Sequence, residues 1–483
     1  MEDIRIPYPT EGVIRSAQLS DTVCPENSVQ LAINMNFDRI GSITTRPGVA
    51  TYATTLAGSI TSFGTLNSQA SSTKYLFAQV GTDIRALNSS TGNWASVRTA
   101  TVTTKARFGQ FLNRIWMVNG NAGDVPKTSN GGTFDTTDVP ATFPKADFIE
   151  AGYGGRVWIA DAAKDIVYYT DIVQSVDGTT YVSPLTFTLT TNFITKFSPQ
   201  DGESITGLFR VPKALLLFKQ NHIYRIYSTT NVDPYPAYNV GTFSQESIVQ
   251  GKDGIYFHHS SGFYKFTYDS QPTEISRRVI DFVKAIPRTS YGNIVGVYDG
   301  FDAIKWSIGA VTVEGVAYAN CQMRYSISTQ VWTIYDFGTT AITALIRYDN
   351  GTTIEQVAGT STGLVGKLDS GNTDFGGKIY FEMIDRWRSF MDMYSHSKKI
   401  DGVSVMAENG GGVLLQYQIE KSQPNEWDDI GTLEENYVSL FPNTLINDFS
   451  QIKFRIRGNS TGTPIVFNGI EILKLSDQGF DKN

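Results

Sequence analysis

The sequence predicts an all-β protein: a β-propeller of six or seven blades with an additional C-terminal β-sandwich or platform domain. Three observations carry this expectation. The 483 residues include 24 Tyr, 28 Phe and 44 Gly, a mixture that pleated strands joined by tight turns select. A hairpin unit recurs through the middle of the chain. From Lys378 onward the recurrence stops and strict two-residue alternation takes over.

The recurring unit is an apolar strand, a short polar or glycine turn, and a second strand rich in Ile, Val and Tyr. It occurs at residues 75–87 and again at Arg114–Val118 before Asn119-Gly120-Asn121. Further copies lie at 156–169, 215–227, 254–257 and 303–306, with a degenerate one at 356–368. The copies start about 40 to 60 residues apart, close to the length of a four-stranded propeller blade. Arg85 to Trp94 and Arg324 to Trp332 each add a Ser/Thr-rich turn and a tryptophan opening another strand, which favours blades over isolated hairpins. A Thr-rich stretch at 175–201 interrupts the series and is expected to protrude as a hairpin. Residues 277–286 space their apolar side chains for one short helix that stops at Pro287.

In the C-terminal part, Val413, Leu415, Tyr417 and Ile419 face one way and Gln416, Gln418 and Glu420 the other. Ile452, Phe454 and Ile456 likewise alternate with Lys453, Arg455 and Arg457. Such strands each bury one face and make a sandwich. The chain therefore divides into an N-terminal arm with platform strands at 1–55, a propeller at 56–376 and a platform at 377–483.

Lys and Arg number 40 against 47 Asp and Glu, a net charge of −7. The whole chain thus lacks the positive field that holds nucleic acid by counterion release. Two cysteines, Cys24 and Cys321, give no disulfide framework and fit folding in a reducing cytoplasm. Acidic residues stand near Met1 where a secretion signal needs basic ones, and the longest apolar run, 214–218, is far shorter than the roughly 20 residues of a membrane helix. A soluble protein is expected.

No catalytic, cofactor-binding or metal-ligating set is assigned. Residues 359–368 imitate a phosphate loop, but Ser361 stands where glycine is needed and Leu368 where a hydroxyl is needed. His258 and His259 are neighbours on a strand and point to opposite faces, while His222 and His396 have no zinc-like spacing. All four are read as surface or hydrogen-bonding residues. Residues 128–134 have a faint likeness to a sialidase Asp-box and read as a glycine turn. The densest basic features are Arg386, Trp387 and Arg388, and the stripe Lys453, Arg455 and Arg457. Trp and Arg are over-represented in subunit contacts, which makes these six the candidate interface.

Residues 26–35 read Glu-Asn-Ser-Val-Gln-Leu-Ala-Ile-Asn-Met, and residues 42–49 read Ser-Ile-Thr-Thr-Arg-Pro-Gly-Val. This resembles the opening of the packaged-DNA stabilisation and tail-nozzle proteins of short-tailed bacteriophages, where an Asn-Met segment precedes an Arg-Pro-Gly or similar turn. Arg46, Pro47 and Gly48 form that signature; Pro47 presets the first turn position and Gly48 is expected to take a positive φ at the second. The similarity continues through 156–161, 169–171, 205–208, 214–227, 250–255 and Trp332. It implies a propeller on a platform, assembled as a six-membered ring below the portal and adaptor proteins, without catalytic residues or cofactor. Such a ring continues the channel through which double-stranded DNA passes non-specifically, and tail fibres or spikes are further partners. The implied location is the virion tail, assembled in the host cytoplasm without a membrane. The large insertion that supplies a tip domain in longer relatives is missing. A net negative chain suits a conduit whose wall must not hold phosphates.

A reading from another class is a carbohydrate-binding or carbohydrate-cleaving propeller, a glycosidase or a receptor-binding tail protein, which needs carboxylates in a concave site. A third, a cell-surface adhesin, is disfavoured by the acidic start of the chain.

Overall fold

A computed structural model describes residues 2–6, 9–15, 25–39, 42–68, 73–99, 104–173, 185–195, 197, 201–234, 239–267, 270–390, 396–423, 425–442, 445–460 and 462–480. Local chemistry sets the hairpins from which it is built. Val80 pairs with Asp83 across a two-residue turn in which Gly81 takes φ 59°, the geometry that matches the twist of the flanking strands. Ala214–Phe218, with every residue buried, pairs antiparallel with Ile223–Ile226. Repeated around a circle, such hairpins give the expected all-β propeller.

Six free-standing sheets of three or four strands are present, and the end of a larger sheet takes a seventh position. Blade 1 runs over Ile60–Asn67, Lys74–Val80, Asp83–Asn88 and Asn93–Thr99. Blade 2 has three strands, Arg107–Phe111, Arg114–Val118 and Lys127–Ser129. Blades 3, 4 and 5 begin at Phe148–Ala151, Gly207–Val211 and Val249–Gln250. Blade 6 comprises Val295–Tyr298, Ala303–Val313, Val316–Ser326 and Trp332–Asp336. Blade 7 takes Ile342–Asp349, Ile354–Thr360 and Val365–Leu368, and its outer strand is Val49–Ala53 from the arm. The two ends of the propeller are thus tied in one sheet.

Burial follows the ring. Each gap between neighbouring blades holds an apolar cluster: Phe77 with Ile115 between blades 1 and 2, Trp116 with Ile159 between 2 and 3, Trp158 with Leu217 between 3 and 4. Phe218 with Phe257, Tyr256 with Ile304, Tyr335 with Ala358, and Val357 with Ile60 continue the series to closure. Large aromatic side chains suit these positions because wedge-shaped gaps need volume.

Blade 6 does not end at Trp332–Asp336. Through the single parallel pairing of Ile334 with Ile33 its sheet continues into Val29–Ile33, Ile379–Asp385, Ile452–Ser460, Leu414–Ile419 and Asp428–Thr432, nine strands in all. An eight-stranded sheet that includes Glu2–Arg5, Met35–Arg39, Ser42–Thr45, Gly402–Glu408 and Val466–Phe480 packs its apolar face on the platform end. Phe381 and Phe467 meet there with ring centroids 5.9 Å apart. Ile452, Phe454 and Ile456 point into this core, as their alternation requires.

The expected helix is a 3-10 turn, Arg277–Val279, followed by Ile280–Ala285. The stretch 175–201 departs from a protruding hairpin where it is described: Phe193–Ile194 is the outer strand of blade 3, paired with Val167 and Tyr168, and Leu185 lies in the gap beside Trp116. Without that strand Val167 and Tyr168 would present unpaired edge hydrogen-bonding groups, a cost that the pairing removes. Among the described residues no helix is long and apolar enough to cross a membrane. Cys321 is buried and free; Cys24 lies outside the described residues.

Candidate functional site

The first strand of each blade lines the propeller axis, and the seven together enclose a cavity of about 420 Å³. Lys105, just ahead of the first strand of blade 2, and Arg107, the first residue of that strand, both line this cavity. Glu246 enters from the short 3-10 turn Gln245–Ser247 ahead of blade 5. Its carboxylate crosses the axis, skipping blades 3 and 4, to accept from Arg107 Nε at 3.0 Å and pair with Lys105 Nζ at 3.4 Å. Ser244 Oγ donates to the same carboxylate at 3.1 Å. Burial alone would raise the Glu246 pKa, but Arg107 and Lys105 outweigh it and hold the group down to about 2. Arg107 is further fixed by donating to the Asp147 carbonyl and by lying 4.4 Å from the Phe148 ring centroid.

Glu150 of blade 3 faces the same cavity with the opposite balance. Burial pushes its pKa up to about 7 against the weaker pull of Arg210, whose Nε lies 3.9 Å away. The axis thus holds one firmly ionised carboxylate and one that titrates near neutrality. Arg347 of blade 7 also lines the cavity, 5.9 Å from the Tyr298 ring centroid, and has no carboxylate partner among the described residues. A second chamber, of about 440 Å³, adjoins the first where Thr61 and Lys105 line both; it presents Ser59, Ser290, Asn293, Ser307, Asn320 and Thr343.

None of these axial residues was singled out from the sequence. The signal that would find them is position on the first strand of each repeat, which requires knowing the blade register. Residues 128–134 form a glycine turn in which Ser129 Oγ accepts from Gly131 N and donates to the Gly132 carbonyl. Residues 359–368 form the hairpin between two strands of blade 7.

The basic candidates are placed on the platform, where they are engaged within the chain. Arg388 is buried; its guanidinium donates to both Asp385 oxygens, at 2.5 and 2.8 Å, and to the Glu26 carbonyl at 3.2 Å. That consumes it, so Arg388 is a structural residue and not an interface one. Lys453 lies between the rings of Trp387 and Trp427, at 4.6 and 5.3 Å from their centroids. Arg455 stacks on Trp427 at 4.3 Å and donates to Gln416 at 2.7 Å. Arg457 and Arg386 are half-buried.

Arg46 is the most connected residue of the signature turn. It is 2% exposed, donates to Asn34 Oδ1 at 2.7 Å and holds both Asp374 oxygens, at 2.9 and 2.5 Å. Its guanidinium lies over Phe337 and Tyr335, and Asn34 in turn donates to the carbonyls of Asp336 and Tyr380. One buried node therefore joins the arm, blade 6, the end of blade 7 and the platform. Gly48 does not take the expected positive φ. Its glycine is required by a close approach instead, since a Cβ there would lie 2.1 Å from the Thr373 carbonyl oxygen.

Of the histidines, His222 and His259 take the expected hydrogen-bonding roles, with Glu203 and with Ser261 and Asn221, and His258 does not. His258 and His259 are both buried, and neither ring nitrogen of His258 has a hydrogen-bond partner among the described residues; its ring packs edge-on against Phe263 and Tyr291. His222 approaches Asp201 and Glu203, the three offering ligand-type atoms within 4.8 Å of one another. A cation already serves this cluster: fully buried Lys219 donates to Asp165 and to both Asp201 oxygens. The side chain of His396 lies outside the described residues.

No family model matches the chain and no curated protein matches it. Among solved structures it is similar to a streptogramin B lyase, at 16% identity and a TM-score of 0.45, over 67% of this chain and 97% of that one. It is also similar to a virginiamycin B lyase from Staphylococcus aureus, at 13% and 0.42, over 64% and 94%. The extracellular domain of a hybrid two component system from B. thetaiotaomicron aligns at 11% and 0.44, over 91% and 64%. None of the three transfers an activity to this chain. The fold and the axial residues define a β-propeller protein with a chamber on its axis that charged side chains enter, and a second chamber adjoining it.

Proposed function

We propose that this protein is a structural component of a bacteriophage tail, a nozzle or hub of which several copies, six by resemblance, form a ring that extends the portal-adaptor channel, retains packaged DNA and conducts it on ejection. The observation that carries the reading is the Arg46 node. The turn on which the resemblance rests is the place where arm, propeller and platform are keyed together, as a rigid ring subunit requires. The continuous sheet from blade 6 into the platform supports the same rigidity. The propeller's own axis is not the conduit, because the Glu246 bridge crosses it and the cavity has the size of a small-molecule site. DNA passes through the centre of the ring of copies. Virions made without the protein should package DNA and then lose it, leaving empty heads with portals attached. Stable, DNA-filled, infectious particles in its absence would exclude this function.

A second reading, a carbohydrate-cleaving propeller, is favoured by one observation: two carboxylates of opposed protonation tendency, Glu150 and Glu246, share the axial cavity. Under it the pure protein releases reducing sugar from host polysaccharide, and Glu150→Gln abolishes the release. Absence of release removes this reading.

A further inference from the structure

We propose that the axial chamber and the one adjoining it form one binding site for an acidic saccharide, a sugar bearing a single carboxylate. The inference names a ligand class for the axial site of the second reading, and it stands whether or not a bond is cleaved there; it does not depend on assembly into a tail.

Three features of the geometry converge on this class. The first is charge. Lys105, Arg107 and Arg347 face the cavity against Glu150 and Glu246, so the axis of an acidic protein carries an excess of cation. Glu246 serves Lys105 and Arg107, whereas the Arg347 fork has no carboxylate among the described residues. A planar fork left open at a cavity wall is the natural partner of a carboxylate. A dianionic phosphate is less suited, because Glu246 stays ionised in the same space.

The second feature is the hydroxyl and amide lining of the adjoining chamber, from Ser59, Ser290, Asn293 and Thr343 among others. Thr61, which lines both chambers, has its Oγ1 buried with no hydrogen-bond partner among the described residues. A buried polar atom without a partner costs free energy that a ligand hydroxyl restores. Many weak donors and acceptors at neutral charge match a polyhydroxylated ring.

The third feature is apolar surface placed beside these groups. Phe63, Phe108, Phe209 and Tyr298 line the charged chamber and Phe337 the other. Sugar rings present C–H faces that pack on aromatic side chains while their hydroxyls reach the polar groups, and the chambers, about 420 and 440 Å³, lie in the range of ligand sites.

The test is calorimetric titration of the full chain with galacturonate, with neutral galactose and with inorganic phosphate. Galacturonate should bind, galactose at least tenfold more weakly, and phosphate should neither bind as tightly nor displace it. Arg347→Gln, at an exposed side chain that leaves folding intact, should weaken galacturonate at least tenfold, and Thr61→Val should weaken both sugars alike. No binding of galacturonate, equal binding of galactose, equal binding of phosphate, or full affinity in Arg347→Gln would each overturn the proposal. Reducing-sugar release, read separately, reports on the cleavage reading and not on this one.

Discussion

Arg46 shows how much a single side chain can carry in this fold. Its charge is offset by Asp374 and its π-stacked face by Phe337 and Tyr335, so removing the guanidinium leaves a carboxylate and the Asn34 oxygen without their donor. Arg46→Met should therefore cost about 3–5 kcal/mol in urea unfolding. Arg46→Lys should recover only part of this, because an ammonium cannot reproduce the two-pronged contact. His258 makes an opposite demand. Its pKa is pushed down to about 3 by burial, with the neighbouring His259 adding to the effect. The unfolded chain takes up this proton near pH 6.5 and the folded chain does not, so the folded state loses stability as pH falls from about 6.5 toward 3. His258→Phe, which keeps the edge-on packing and removes the proton site, should flatten that decline. The melting temperatures of wild type and variant should converge at pH 7 and separate at pH 5; parallel curves would show that His258 is not a source of acid sensitivity.

At the scale of an element, the edge strand Asp428–Thr432 is pinned through the residue before it. Trp427 lies under both Lys453 and Arg455, so the basic stripe serves its own sheet before any other subunit. Trp427→Ala should cost about 1–2 kcal/mol, since each cation–π contact is worth about 0.5–1 kcal/mol at exposed sites. It should raise amide exchange in 428–432 while the blades stay protected. The stripe is thus a poor target for a simple charge-reversal test of assembly, because Lys453→Glu and Arg455→Glu disturb the monomer. Arg457→Glu is the cleaner probe: the monomer should melt within about 0.5 kcal/mol of wild type, the range of ordinary surface changes. Ring assembly should weaken by sedimentation. Undiminished assembly removes Arg457 from the interface.

For the whole molecule the decisive features are closure and continuity. The propeller is closed by Val49–Ala53 from the arm, and the platform is joined to blade 6 through one sheet and one continuous apolar cluster. Propeller and platform should then unfold together. Tryptophan fluorescence from Trp158 in blade 3 and from Trp427 on the platform, isolated by replacing the other tryptophans, should report the same urea midpoint. Two separated midpoints would show that the shared sheet does not couple them.

The sequence by itself determined the all-β class, the hairpin recurrence, the short helix before Pro287 and the inward set Ile452, Phe454 and Ile456. Each of these follows from nearest-neighbour chemistry: two-residue alternation, turn residues and helical spacing are properties of a short stretch of chain. The tertiary structure alone decided where those stretches go. Val49–Ala53 reads as an arm strand, yet it closes blade 7, because a β-edge is satisfied by whichever partner the ring brings to it. Arg388 and Arg455 read as exposed cations, yet Asp385 and Trp427 claim them. Gly48 reads as a turn residue and is needed for a neighbour 325 positions away. The axial set was illegible for the same reason: Lys105, Arg107, Glu150, Glu246 and Arg347 are scattered over four blades. Only closure of the propeller points them at a common axis, since a charge carries no mark in the sequence of which other charges it will face.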